Sequence, residues 1–141
     1  DEGQEGGGIL SERTMVFRFG YYLQSKLDEF PEYRLLSLDI ENNKQRYDSK
    51  MDLERRTTVR PDLCLHERRS NNNNLLVIEF KKDAQKGSDY RRKLKMFTKP
   101  IVQNSLGEDL GYGYRYGLFI EITHEEFHYE VYQAGENSHP I

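Results

Sequence analysis

The residues with the clearest chemical potential are two carboxylates and a lysine in the middle of the chain. Asp62 stands at the start of one short apolar run, Glu79 stands at the end of the next, and Lys81 follows two residues later. Residues two apart on a strand share a face, so Glu79 and Lys81 point the same way while Phe80 points away. If the two strands pair as a hairpin, Asp62 approaches Glu79 across the ladder.

Two carboxylates held close together repel each other unless a cation neutralises them. Mg²⁺ prefers hard oxygen ligands and is typically bound by one or two carboxylates plus waters, and the Phe80 backbone carbonyl could add an oxygen. Such an ion polarises a phosphoryl oxygen and lowers the pKa of a bound water. Lys81 could hold that water or stabilise developing charge. The spacing therefore predicts metal-dependent hydrolysis of a phosphodiester, with Mg²⁺ or Mn²⁺ as cofactor.

The charge distribution favours a polyanionic partner more than the net charge does. The chain has 141 residues, which suits one domain, and a formal net charge of −3. Residues 44–99 nevertheless hold sixteen Lys and Arg against eight Asp and Glu, and the rest of the chain is acidic. A basic middle segment can create a local positive field, which makes DNA the expected partner. A solvated charged surface would give the same composition.

Cysteine content and hydropathy indicate the expected compartment. Cys64 is the single cysteine, which excludes an intrachain disulfide and a cysteine-based zinc site and favours a small core residue. No apolar run reaches the length of a membrane span, and the acidic, glycine-rich start does not match a signal peptide. We therefore expect a cytoplasmic protein without a membrane partner.

Apolar periodicity predicts a mixed α/β domain. Helical spacing indicates a helix over 9–27 that ends before Pro31, and a short basic helix capped by Ser88 or Asp89 that ends near Pro100. Residues 1–8 are expected to be disordered, the domain to span 9–134, and 135–141 to form a loose tail. The predicted strands cover 33–40, 57–66, 75–81, 114–123 and 126–133.

The predicted order is therefore helix, three strands, helix and two strands. The helix between the third and fourth strands permits a right-handed crossover, so those two strands can be parallel. Pro61 lies inside the second predicted strand, which indicates an edge, a bulge or a kink at that point.

Pro61-Asp62 followed by Glu79-Phe80-Lys81 resembles the PD-(D/E)xK signature of the restriction-endonuclease-like nuclease superfamily. The order of elements is also similar, and the likeness is to small single-domain members found among prophage and mobile-element proteins. The resemblance implies an α/β/α core with a mixed central sheet. It implies an endonuclease-like phosphodiesterase that uses Mg²⁺ or Mn²⁺.

The resemblance also implies roles for individual residues. Asp62 and Glu79 would be metal ligands, Lys81 the catalytic lysine, and Glu12 on the first helix an additional acid that binds metal or holds water. A residue of the second helix would face the site, with Lys93 the first choice and Gln85 the second. The basic residues expected to contact nucleic acid are Arg68, Arg69, Lys82, Arg91 and Lys93.

Each of these residues also has a simpler interpretation. Glu79 and Lys81 could be an exposed ion pair, Glu12 a negative residue favoured near a helix N-terminus, and His66 a surface residue at a strand end. Two other functions remain open. One is an inactive nuclease-like module that binds nucleic acid or a protein. The other is an assembly protein that forms an oligomer through its last strand. The pattern is also compatible with a homodimer, and with a protein partner that supplies target specificity.

Overall fold

The computed structural model describes residues 11–40, 50–52, 57–70, 72–82, 90–123 and 126–138. These residues form a six-stranded mixed sheet and two α-helices, which confirms the expected mixed α/β class. No helix in the described ranges combines the length and the apolar character needed to cross a bilayer.

Two helices and ten strands make up the described part of the chain. The helices are α1 (Glu12–Leu27) and α2 (Tyr90–Thr98), and Pro31–Tyr33 forms a single 3-10 turn. The strands of the main sheet, in spatial order, are β1 (Ser37–Ile40), β4 (Leu63–His66), β5 (Asn74–Lys82), β8 (Tyr116–Ile122), β9 (Phe127–Gln133) and β10 (Glu136–Asn137). Two separate ribbons consist of β2 (Lys50–Asp52) with β3 (Thr57–Val59) and β6 (Val102–Gln103) with β7 (Asp109–Leu110).

The pairing of the central strands brings the two halves of the chain together. β4 runs antiparallel to β1 and β5, whereas β5 and β8 are parallel over the full register from Leu76 opposite Tyr116 to Lys82 opposite Ile122. The parallel pairing expected for the strands on either side of α2 is therefore confirmed. β9 then returns antiparallel to β8.

The helix α1 begins with a side-chain cap and packs on one face of the sheet. The Ser11 hydroxyl accepts a hydrogen bond from the Thr14 backbone N–H at 3.2 Å, which satisfies one of the free donors of the first turn. Val16 lies against a cluster that includes Ile78 and Phe80 of β5. Because successive strand residues alternate between faces, this is the face of the even-numbered β5 residues.

The helix α2 packs on the opposite face, where the odd-numbered β5 residues lie. Leu94 and Phe97 are fully buried with Val77, and Phe119 and Tyr132 join the same cluster. The sheet therefore separates two apolar cores, and each core is covered by one helix. Glu79 and Lys81 lie on the α2 side.

The structure differs from the expected elements at several points. The strand expected over 57–66 is interrupted at 60–62, since Pro61 has no backbone N–H to donate to a ladder. β3 consequently leaves the main sheet and pairs with β2. The strand expected from residue 33 begins at Ser37, and Glu136–Asn137, expected to be loose, pairs with β9. The segment 1–8 lies outside the described residues.

Candidate active site

The antiparallel pairing of β4 with β5 brings Asp62 beside Glu79. Leu63 pairs with Ile78, so the residue before Leu63 lies next to the residue after Ile78. The Asp62 backbone N–H donates to the Glu79 carboxylate at 3.2 Å, and the Phe80 backbone N–H donates to the Asp62 carboxylate at 2.7 Å. Each carboxylate is therefore fixed by the main chain of the neighbouring strand.

Proline and strand geometry explain why these backbone groups are free to bind side chains. Pro61 is buried directly before Asp62 and ends the ladder, so the β5 main chain beyond Ile78 has no β4 strand partner. In an antiparallel pair, the N–H and C=O of one residue point to the same neighbour. The Phe80 carbonyl therefore points to the same neighbouring strand as the Phe80 N–H, which binds Asp62.

Burial and mutual repulsion make the two acids reluctant to carry charge together. Burial raises the pKa of Glu79, and the negative charge of Asp62 raises it further, to about 7 despite the nearby Lys93. Burial also raises the pKa of Asp62, which the Phe80 N–H partly offsets. Glu79 is only 1% exposed. A simple exposed Glu79–Lys81 pair therefore does not describe this site.

Two lysines lie on the same side of the sheet as the acids. The Lys93 ammonium, supplied by α2, donates to Glu79 at 3.1 Å. Lys81 shares the Glu79 face by strand alternation, and its positive charge acts to lower the pKa of Asp62. The structure therefore brings together Asp62, Glu79, Lys81 and Lys93. Gln85, the alternative to Lys93, lies outside the described residues.

Glu12 approaches the same end of the sheet from the other face. It occupies the first turn of α1, and its carboxylate accepts a hydrogen bond from the Lys82 backbone N–H at 3.0 Å. Its negative charge also raises the pKa of Asp62, so the two acids are electrostatically coupled. Glu12 is therefore adjacent to the acid pair, although its carboxylate is engaged by the main chain.

Two of the arginines expected to contact nucleic acid form internal ion pairs. Arg91 binds Glu130 at 2.9 Å, and Arg68 binds Asp39 through two of its N–H groups. Arg69 is exposed and has a positive φ of 63°, which places it at the tip of the β4–β5 turn. The positive charges of Arg68 and Arg91 are therefore partly neutralised within the protein, whereas the side chain of Arg69 is exposed to solvent.

His66 is not the surface residue that the sequence suggested. It is 9% exposed, and its Nε2 lies 2.6 Å from the Asp39 carboxylate. Asp39 lies opposite Cys64 in the β1–β4 ladder, and ligand atoms of Asp39, Cys64 and His66 all lie within 4.8 Å of one another. Sequence reasoning did not single out Asp39. The available signal was an acid between the apolar residues Leu38 and Ile40.

Burial alone would lower the pKa of His66, but hydrogen bonds with Asp39 and Cys64 outweigh it and raise the pKa to about 9. Burial would raise the pKa of Asp39, yet hydrogen bonds from His66 and Arg68 hold it at about 2. At neutral pH this cluster therefore contains an ionised carboxylate between two cations.

Comparison of the chain with family models, curated proteins and solved structures finds no match. The basis for a functional hypothesis is therefore the chemistry of the described residues. A pair of hard carboxylate oxygens from Asp62 and Glu79, with a backbone carbonyl nearby and two lysines beside them, fits a divalent cation such as Mg²⁺.

Proposed function

We propose that this chain is a metal-dependent nuclease that hydrolyses phosphodiester bonds, with DNA as its substrate and Mg²⁺ or Mn²⁺ as its cofactor. The proposal extends the resemblance of Asp62, Glu79 and Lys81 to the PD-(D/E)xK signature. The supporting observation is that the Asp62 backbone N–H donates a hydrogen bond to the Glu79 carboxylate, 17 positions later in sequence, where the β4–β5 pairing ends.

The burial of Asp62 beside Glu79 does not stabilise the fold in any simple way. Removing two carboxylates from water costs several kcal/mol per charge, and one lysine contact offsets only part of that cost. The raised pKa of Glu79 and of Asp62 reflects this penalty. Buried groups with perturbed pKa values beside a specific charged partner are typical of functional sites. A bound divalent cation would remove the repulsion and would use both acids.

Each residue of the site would have a distinct role in binding the metal or in hydrolysis. Asp62, Glu79 and the Phe80 carbonyl would hold the ion, and Glu12 would support it from α1. The ion, when bound, supplies Lewis-acid stabilisation and a water of lowered pKa. Lys81 orients the attacking water and stabilises negative charge on the phosphoryl oxygen. Lys93 holds the Glu79 carboxylate in place from α2 and offsets its charge.

Substrate recognition would rely on charge. The basic segment 44–99 includes the site itself, so phosphates flanking the scissile bond would meet Lys and Arg side chains. Arg69 lies in the turn before β5, and Lys82 is the last residue of β5, the strand that carries Glu79. Phosphate contacts of this kind position a duplex without reading its sequence.

The proposal is tested by cleavage of labelled duplex, nicked and branched DNA with Mg²⁺ or Mn²⁺. Wild-type protein should cleave at least one of these substrates. Asp62→Asn should lose cleavage by weakening the metal site, and Lys81→Met should lower kcat by about 100-fold or more, since general acid–base groups contribute roughly 10²–10⁴-fold. The matched controls are Asp109→Asn and Lys26→Met, both at exposed positions away from the site.

Retained cleavage in Lys81→Met would contradict the assigned mechanism. DNA binding without metal binding and without cleavage of any substrate would instead favour the inactive nuclease-like module.

A further inference from the structure

A second group of potential metal ligands lies on the α2 face of the sheet, at the β1–β4 pairing. Asp39 pairs with Cys64 across the ladder, and His66 is two residues further along β4 on the same face. All three are buried, at 2%, 6% and 9% exposure, and each offers one ligand atom within 4.8 Å of the other two. The group thus combines a carboxylate, a thiol and an imidazole.

An exposed arginine borders the buried cluster. Arg68 follows His66 by two residues, its side chain is 58% exposed, and it binds the carboxylate of Asp39, which is 1% exposed. It donates to both Asp39 oxygens, so its guanidinium fixes the orientation of the carboxylate. A metal-ligating carboxylate is commonly held in this way by an outer hydrogen-bond donor.

We propose that Asp39, Cys64 and His66 bind a thiophilic divalent metal ion, with Zn²⁺ the best match, and that Arg68 orients the carboxylate ligand. Three protein ligands leave a fourth position of a tetrahedral site for water or another small ligand. This site does not depend on the proposed nuclease function. The single cysteine argued against a cysteine-based zinc site, whereas this site combines one thiolate with a carboxylate and an imidazole.

The ligand types of the cluster suit a divalent ion. Asp39 would supply a carboxylate oxygen, Cys64 a thiolate sulfur and His66 a ring nitrogen, and these atoms already lie within 4.8 Å of one another. The guanidinium of Arg68 would remain beside the Asp39 carboxylate.

The geometry requires a small adjustment. Ligand atoms at about 2.0–2.1 Å from a tetrahedral ion lie roughly 3.3 Å apart, while His66 Nε2 and the Asp39 carboxylate are 2.6 Å apart. The two side chains would therefore have to separate by less than about 1 Å from their present contact.

Ligand chemistry separates this site from the acid pair at Asp62 and Glu79. A thiolate and an imidazole select Zn²⁺ and similar metals, whereas carboxylate and carbonyl oxygens suit Mg²⁺ and Mn²⁺. The two sites should therefore respond to different ions. A substitution in one should leave the metal preference of the other intact.

Cobalt titration tests the proposal directly. Co²⁺ bound by a thiolate gives a sulfur-to-metal charge-transfer band, and Cys64 is the single cysteine of the chain, so such a band can arise only there. We expect about one Co²⁺ per reduced full-length chain to produce the band, together with the strong visible absorption of tetrahedral Co²⁺. Zn²⁺ should displace the ion and remove both signals.

The variants identify the other ligands. His66→Gln and Asp39→Asn should each weaken Co²⁺ binding by more than about 100-fold, because loss of even an outer-shell partner costs about 10- to 100-fold. Arg68→Ala should keep the band and lose about 10- to 100-fold in affinity. Asp109→Asn, at an exposed position outside both groups of ligands, is the control and should match wild type.

The absence of a charge-transfer band in folded wild-type protein would overturn the proposal, whatever the variants do. The proposal would also fail if His66→Gln and Asp39→Asn bound Co²⁺ as tightly as wild type. Circular dichroism of each variant establishes that a lost signal reflects a lost ligand. Since wild-type protein alone can give the negative result, misfolding of a variant does not leave the question open.

Discussion

The burial of Glu79 beside Asp62 has a consequence that can be measured without a substrate. The pKa of Glu79 in the folded, metal-free protein is about 7, compared with 4.5 for an exposed glutamate. The folded state therefore binds an extra proton between these values. Its stabilising contribution is complete below pH 4.5 and is lost as the pH rises through about 7.

We predict that the metal-free protein loses stability over this pH range, by about 3 kcal/mol from this residue. Glu79→Gln should flatten that dependence because the amide does not titrate. Addition of Mg²⁺ at pH 7 to the wild-type protein should restore stability, since bound cations favour the ionised carboxylates. Urea unfolding at a series of pH values, with EDTA or with Mg²⁺, measures all three effects.

The exposed variant Glu108→Gln is the matched control and should retain the wild-type pH dependence. If Glu79→Gln and Glu108→Gln gave the same pH profile, Glu79 would not be the buried proton acceptor that the structure indicates.

At the level of secondary structure, sequence patterns recovered the elements that hold the acid pair. Helical periodicity located α1, and continuous apolar residues located β5, whose two faces both pack against helices. The approach of Asp62 to Glu79 was predicted on the condition that their strands pair as a hairpin, and β4 and β5 do pair antiparallel. These features depend on residues close in the sequence, which is why local reasoning sufficed.

Two side-chain contacts between distant residues were not predicted. Asp39 and His66 are 27 residues apart in sequence, and the local pattern of neither strand identifies the partner. Likewise, the ion pair between Arg91 and Glu130 joins residues 39 positions apart. The ribbons β2–β3 and β6–β7 are too short to show a clear apolar period.

The position of Lys93 depends on how firmly α2 packs on the sheet. Leu94, the next residue, is completely buried in the cluster between α2 and the sheet. Leu94→Ala should destabilise the fold by about 2–5 kcal/mol through the lost contacts and the cavity that remains. Leu106→Ala is the control, since Leu106 is 79% exposed, and should change stability by no more than about 0.5 kcal/mol.

Denaturant unfolding of both variants measures this difference. Equal stabilities of Leu94→Ala and Leu106→Ala would show that the α2 core contributes little, and that Lys93 is held by its ion pair rather than by helix packing.

At the scale of the whole molecule, a basic central segment lies in a chain of net charge −3. If this segment binds DNA through phosphates, the logarithm of the binding constant should fall linearly with the logarithm of salt concentration. The cleavage-deficient Asp62→Asn protein allows the measurement without loss of substrate. Fluorescence anisotropy over roughly 50–200 mM salt gives the slope, at about −0.9 per phosphate contact.

Replacing the exposed Arg69 by Ala should reduce the magnitude of this slope by about one, as expected for one lost phosphate contact. Lys26→Ala, on the exposed side of α1, should leave the slope unchanged. A binding constant that does not vary with salt would exclude phosphate recognition by the basic segment and would favour a protein partner.

The central claim is that Asp62 and Glu79 together bind a hard divalent cation. Calorimetric titration with Mg²⁺ tests this most directly, because Mg²⁺ avoids the thiolate of the second site. We predict one Mg²⁺ per wild-type chain, binding weakened at least about tenfold in Asp62→Asn and in Glu79→Gln, and no change in Asp109→Asn. Mg²⁺ binding that is absent in the wild type, or equal in all four proteins, would contradict the account.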